Sequence, residues 1–202
     1  MQIEYKIRPA LRILFVLTLM IASLAKAFAA DLISSRSYWE DASNQASFAQ
    51  AQAKDFKSYS GVLSRGFTQS AVWIRLKVSP PLDAKADDKL ILRIRPIYLD
   101  EIKLYDPLDT SGISRVVGDR SNYRDEEYKS LTHTFVIPAG DQSRYVWLRL
   151  KTTSTSMINI ETFTPVDMLA KEYHLLIGYC LVLSLIMVFL ILVFMYTQYL
   201  DL

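Results

Sequence analysis

The sequence predicts a mainly β fold, an antiparallel β-sandwich followed by one transmembrane α-helix. Two observations carry this. Short segments of alternating apolar and polar residues recur through the middle of the chain, separated by Pro, Gly and Asp clusters. Near the C-terminus, Leu175–Met195 runs for 21 residues without a charge. At about 1.5 Å of rise per residue it spans about 30 Å, the hydrocarbon thickness of a bilayer. A buried core helix rarely stays apolar on every face for that length.

At the N-terminus, Lys6, Arg8 and Arg12 precede an apolar stretch, Ile13–Leu24, and then a small-x-small site at Ala27-Phe28-Ala29. That order reads as a signal peptide over residues 1–29, cleaved before Ala30, with an uncleaved anchor as the alternative; either places Asp31–Glu172 outside the cytoplasm. The segment Gln45–Lys54 (QASFAQAQAK) has the residues of a short helix and is expected to cover one edge of the sandwich. Strict alternation marks strands at Val72–Val78, Leu90–Arg95, Ile102–Tyr105, Tyr145–Lys151 and Met157–Glu161, with a further strand at Thr132–Ile137. Turn chemistry separates them at Pro80–Asp88, Asp106–Gly112 and Pro138–Asp141. The polar stretch Arg115–Lys129 is expected to be a long loop. Residues 30–163 thus form the sandwich. Thr164, Pro165 and Asp167 then supply a capping hydroxyl, a proline at the first helical position and a carboxylate at the third. They open a juxtamembrane helix over 164–174 that continues into a transmembrane helix over 175–196, without a further proline to Tyr196. Residues 197–202 form a truncated cytoplasmic tail. Such a rod can carry a tilt or a piston displacement; the plainer alternative is a tether.

Charge narrows the function classes. Without residues 1–29, which hold four Lys/Arg and one Glu, the formal balance of +2 becomes −1, so net charge makes no case for nucleic acid. Cys180 is the sole cysteine and lies in the apolar run, so no disulfide is expected in the exported domain.

Catalytic signals are weak. His133 and His174 are far apart, no cluster has metal-ligand spacing, and no glycine-rich phosphate loop is present. In Asp100-Glu101, neighbours on a strand point to opposite faces, which disfavours acid–base cooperation. No catalytic residue, metal or cofactor is expected.

Alternation sorts the strands into two faces. Val72, Ile74, Leu76, Val78, Leu90, Leu92, Ile94, Ile102, Leu104, Val146, Leu148 and Leu150 are core candidates. The opposite parity carries the candidate ligand-binding residues Trp73, Arg75, Arg93, Arg95, Tyr105, Trp147 and Arg149. Aromatic rings interleaved with guanidinium forks suit sugar rings and anions. The alternative is an ordinary solvated sheet face, whose Trp residues cover Arg stems or pack under a loop. That alternative is expected for most of these positions, with Trp73, Trp147, Arg93 and Arg95 as the exceptions.

The segments Tyr38–Asp41 (YWED), Leu63–Val78 (LSRGFTQSAVWIRLKV), Leu92–Pro107 (LRIRPIYLDEIKLYDP), Gly118–Arg120 (GDR), Trp147–Met157 (WLRLKTTSTSM) and Thr164–Glu172 (TPVDMLAKE) stand in one order before a span. In that arrangement the chain resembles the type 2 extracellular domain of bacterial seven-transmembrane receptors with diverse intracellular signalling modules. The resemblance covers about residues 36–196. It implies a jelly-roll-like sandwich akin to carbohydrate-binding modules and a periplasmic sensory role. It also implies seven membrane helices and an output module, often a diguanylate cyclase or a histidine kinase. This sequence departs from that plan by stopping at Leu202, as a truncated product, a gene fragment or a sensor that signals through a partner would.

The expected function is therefore a periplasmic ligand-sensing input domain anchored in the inner membrane. Its ligand would be a carbohydrate-like or anionic small molecule, with a homodimer or a signalling partner in the membrane. The competing reading is an interaction module that binds a periplasmic protein or cell-wall glycan without sensing; a hydrolase of polysaccharide ranks third.

Overall fold

The computed structural model describes residues 31–110, 114–121 and 127–200. The expected signal peptide lies outside the described residues.

The chain opens with strand β1 (Ile33–Asp41), helix α1 (Phe48–Gln52) and the short strands β2 (Lys57–Tyr59) and β3 (Leu63–Ser64). Strands β4 (Ala71–Val78), β5 (Lys89–Arg95) and β6 (Glu101–Tyr105) come next, each on an alternating segment. Then come β7 (Arg115–Val117), β8 (His133–Pro138), β9 (Arg144–Lys151) and β10 (Met157–Phe163). Helix α2 (Pro165–Leu200) is the last element.

The strands form two antiparallel sheets. One has six strands in the order β2-β1-β4-β9-β6-β7, and the other has four in the order β3-β10-β5-β8. The apolar parity of each strand points between them. Val72, Ile74, Leu76 and Val78 of β4 meet Leu90, Leu92 and Ile94 of β5 in one core, joined by Ile102, Leu104, Val146, Leu148 and Leu150. Full burial of such a side chain contributes about 1.5–3 kcal/mol, which stabilises the domain without a disulfide.

Strands β1, β2, β3 and β7 and helix α1 differ from the sequence reading; β2 and β3 are too short to show alternation. β1 carries a run of Ser and charged residues and a register shift between Ile33 and Ser35, which hides its alternation. β7 lies in the expected long loop; its three residues pair with Ile102–Leu104 of β6. And α1 covers a sheet face, not an edge, because it presents Phe48 to the aromatic side chains beneath. Ser47 and Gln50 close a reciprocal capping box that fixes where α1 begins.

Strand direction assigns every loop to one of two ends. The segments 65–70, 96–100, 118–121, 127–132 and 152–156 gather at one end; 79–88, 106–110 and 139–143 gather at the other. Helix α2 starts at the second end, one residue after β10. The Thr164 hydroxyl accepts the Asp167 N–H at 3.2 Å and donates to its carboxylate at 2.8 Å. The helix then turns back along the outer face of the four-stranded sheet. Met168 is buried there against Ile91, Phe163 and Tyr128. Beyond Tyr173 the helix leaves the sandwich and continues unbroken, apolar and unburied, with length and composition sufficient to cross a membrane.

Candidate functional site

A cleft of about 790 Å³ opens at the loop-rich end of the six-stranded sheet. Its floor is built by cross-strand pairing. Glu101 of β6 faces Lys151 of β9, and Lys103 faces Arg149. The Arg149 guanidinium stands 3.5 Å from Glu101 and donates to the Asn44 carbonyl at 2.9 Å, so it also ties down the segment that leads into α1. Lys103 approaches Glu101 at 3.6 Å. Lys151 has no ion-pair partner among the described residues.

One wall depends on a glycine. Gly118 has φ +148°, and a Cβ on it would lie 2.2 Å from the Asp100 carbonyl oxygen. Only glycine permits that approach. It brings the Asp119 N–H to the Leu99 carbonyl at 2.9 Å and the Arg120 guanidinium to the Asp100 carboxylate at 3.0 Å. Asp100 also accepts the Thr153 N–H at 2.9 Å, its hydroxyl at 2.8 Å and the Thr152 hydroxyl at 3.4 Å. The Thr153 N–H and hydroxyl, with Arg120, outweigh burial and hold the Asp100 carboxyl below the usual carboxylate range. Asp100 thus pins the 118–120 and 152–153 segments. Phe67, largely exposed, stands at the rim.

Lys103, Arg120, Arg149 and Lys151 outnumber Asp100 and Glu101, and each carboxylate is already engaged. The cleft therefore presents excess positive charge, with a planar guanidinium fork beside hydroxyl and amide groups.

The candidates read from the sequence fall in three places. Arg149 is in the cleft. Trp73, Tyr105 and Trp147 are neighbours on the same sheet face, covered by α1: Phe48 stacks on Tyr105 at 4.8 Å and on Trp73 at 6.3 Å and meets Trp147 edge-on at 5.3 Å. Trp73 is fully buried and Trp147 is 9% exposed. Arg75 lies between the rings of Phe56 and Tyr145, 4.7 and 5.0 Å from their centroids, and donates to Ser37 at 3.2 Å. It clamps the covering segment. Arg93 and Arg95 are on the outer face of the opposite sheet, a sandwich thickness away. Both bind Glu161, which also receives Lys171 of α2 at 2.9 Å. Burial pushes the Glu161 carboxyl up, but the Arg93 and Lys171 hydrogen bonds and charges outweigh it and leave it below the usual range. Farther along, Ser130 donates to Glu172 at 2.6 Å. This cluster fastens the helix to the sandwich.

The ligand-binding candidates read from the sequence do not include Glu101, Lys103, Arg120 and Lys151. A signal existed in the parity of Glu101 and Lys103 with Tyr105, and of Lys151 with Arg149. Asp100 lies just before β6, so the strand rule that sends Asp100 and Glu101 to opposite faces does not hold, and both line the cleft. Among the described residues, no group of three or more His, Cys, Asp or Glu side chains could hold a metal ion.

A family model described as 7TMR-DISM extracellular 2 matches residues 34–164, more than half of the chain. The chain belongs to this family. The matched region runs from β1 to the Thr164 cap, so the 7TMR-DISM extracellular 2 domain is the sandwich and ends where α2 begins. Membership makes it the extracytoplasmic sensory part of a receptor, and the helix after it is long and apolar enough to cross a membrane. A comparison with curated proteins finds no match.

Proposed function

We propose that the sandwich senses a carbohydrate-like or anionic small molecule in the periplasm and reports occupancy through α2 to a cytoplasmic output, a diguanylate cyclase or a histidine kinase. The observation that carries this reading is the docking of α2. Its first turns are held by Met168, by Lys171 on Glu161 and by Glu172 on Ser130, and the same helix continues without a break into the apolar run.

The cleft and the helix share a connection. The β7–β8 segment supplies Arg120 to the cleft, and Tyr128 and Ser130 to α2. A ligand that prefers one arrangement of that segment shifts the populations and moves the helix with it. The excess positive charge favours uronates, other carboxylates or phosphorylated sugars over neutral sugars.

The test is a thermal-shift screen of the full chain in detergent with oligosaccharides, uronates, peptidoglycan fragments and organic acids. A ligand at one hundred times its Kd adds about 2.7 kcal/mol to the folded state. The expected result is a specific shift that Lys151→Ala abolishes. A folded protein that responds to none of them refutes the small-molecule reading.

A further inference from the structure

The course of α2 fixes which end of the sandwich faces the bilayer, and that end carries an apolar rim. Met168 packs at the Ile91–Phe163 strand pair, and three residues later Lys171 reaches Glu161, which pairs with Arg93. The helix therefore advances toward the next pair, Arg95 with Asn159, at the end where β5 finishes and β8 begins. From Lys171 to Leu175 is about 6 Å of helix, and two residues of strand cover about 6.7 Å. Leu175, the first residue of the apolar run, thus comes level with the last strand pair, on the four-stranded sheet, where the residues that follow β5 and those that precede β8 lie beside it.

They are not polar tips. Leu131 is 91% exposed and Ile97 59%, and Tyr98 and Met157 are also exposed. The His133 ring meets the Ile97 carbonyl at 2.9 Å, so Ile97 and Leu131 lie on neighbouring loops and offer one apolar surface. Tyr98 beside Ile97 adds the amphipathic ring favoured at membrane interfaces.

We propose that this rim, formed by Ile97, Tyr98 and Leu131, inserts into the lipid interface around the emerging α2. The sandwich then rests on the bilayer instead of swinging above it. The proposal rests on α2 spanning the membrane. The bilayer is the occupant because the span enters at this end.

The test uses the full chain in a Cys180→Ser background, with single cysteines carrying an environment-sensitive fluorophore, reconstituted in phosphatidylcholine vesicles that contain acyl-chain nitroxide lipid. Ile97→Cys and Leu131→Cys report the rim. Leu82→Cys, an exposed apolar position in the 79–88 connection at the opposite end, is the comparison. Leu185→Cys reports the span. The expected result is blue-shifted emission and at least about twofold stronger lipid quenching at Ile97 and Leu131 than at Leu82, with Leu185 quenched most. Equal quenching at Ile97, Leu131 and Leu82, with Leu185 still quenched, overturns the proposal and leaves the span intact. An unquenched Leu185 label overturns both.

Discussion

Removing the charge of Glu161 should loosen the helix from the domain, and the structure sets both the size and the pH dependence of the effect. In Glu161→Gln the side-chain volume is kept. Arg93, 6% exposed, then loses its carboxylate while remaining under α2. Lys171 and Arg95 lose the same partner. A charge-assisted hydrogen bond at a desolvated site is worth about 1.5–3 kcal/mol, whereas the exposed Arg95 pair adds at most about 1. One amide oxygen remains to accept, so the expected loss is about 2 kcal/mol. For a domain of this size that lowers Tm by roughly 6–10 °C. Glu161 has a native pKa below its unfolded value, so its contribution is complete above the ordinary glutamate range, about 4.3, and disappears as pH falls through the depressed native value. The assay is thermal unfolding of the full chain and of the variant in the same detergent from pH 7.5 to pH 3. The gap in Tm should be constant down to about pH 5 and narrow below it. Equal Tm values at neutral pH, or a gap that widens in acid, would refute the reasoning.

The geometry fixes three further outcomes. Gly118→Ala places a methyl group 2.2 Å from a backbone oxygen, so it should cost about 3 kcal/mol or more and depress Tm sharply; an unchanged Tm would mean the 118–120 segment is not held against Asp100. Trp73→Ala should cost about 3–5 kcal/mol, while Trp73→Phe should cost much less, because the buried indole N–H has no hydrogen-bond partner among the described residues to lose; near-UV circular dichroism with denaturant titration separates them, and equal losses would contradict the packing role. Lys151→Ala should leave stability within about 0.5 kcal/mol while weakening any anionic ligand; a large stability loss would show that Lys151 is structural.

Period-two alternation made the central strands legible because each had to bury one face against the opposite sheet. Trp-Ile-Arg-Leu in β4 leaves little choice of which side chains go inward. β1 was illegible for the converse reason: Ser34, Ser35 and Ser37 blur its period, and a register shift breaks it. The candidate site was legible only in part. Parity gave Trp73, Tyr105 and Trp147 the polar side of their strands, but strand register, which brings them together, is not local, and no local pattern reveals that Phe48 from a helix 25 residues earlier in sequence than Trp73 comes to lie on them. Arg93 and Arg95 share the polar parity yet belong to the other sheet, and assignment of strands to sheets is a long-range property. Parity does put Lys103 and Lys151 on the polar side with Tyr105 and Arg149, and Glu101 shares it. Arg120 reaches the cleft only through the close approach of Gly118 to Asp100, which involves two segments far apart in the chain.

Thr164 is the sole residue between the end of β10 and the start of α2, and Met168 is seated on the sheet one turn later. An α-helix turns about 100° per residue. With so short a joint, the azimuth of every side chain from Leu175 onward is set by the residue that occupies the Met168 seat. A single residue inserted between Lys171 and Leu175 rotates the whole apolar run by about 100° against the domain, whereas seven residues bring it back to within about 20°. Grafting this sandwich onto another span is therefore a problem of helical phase before it is one of length.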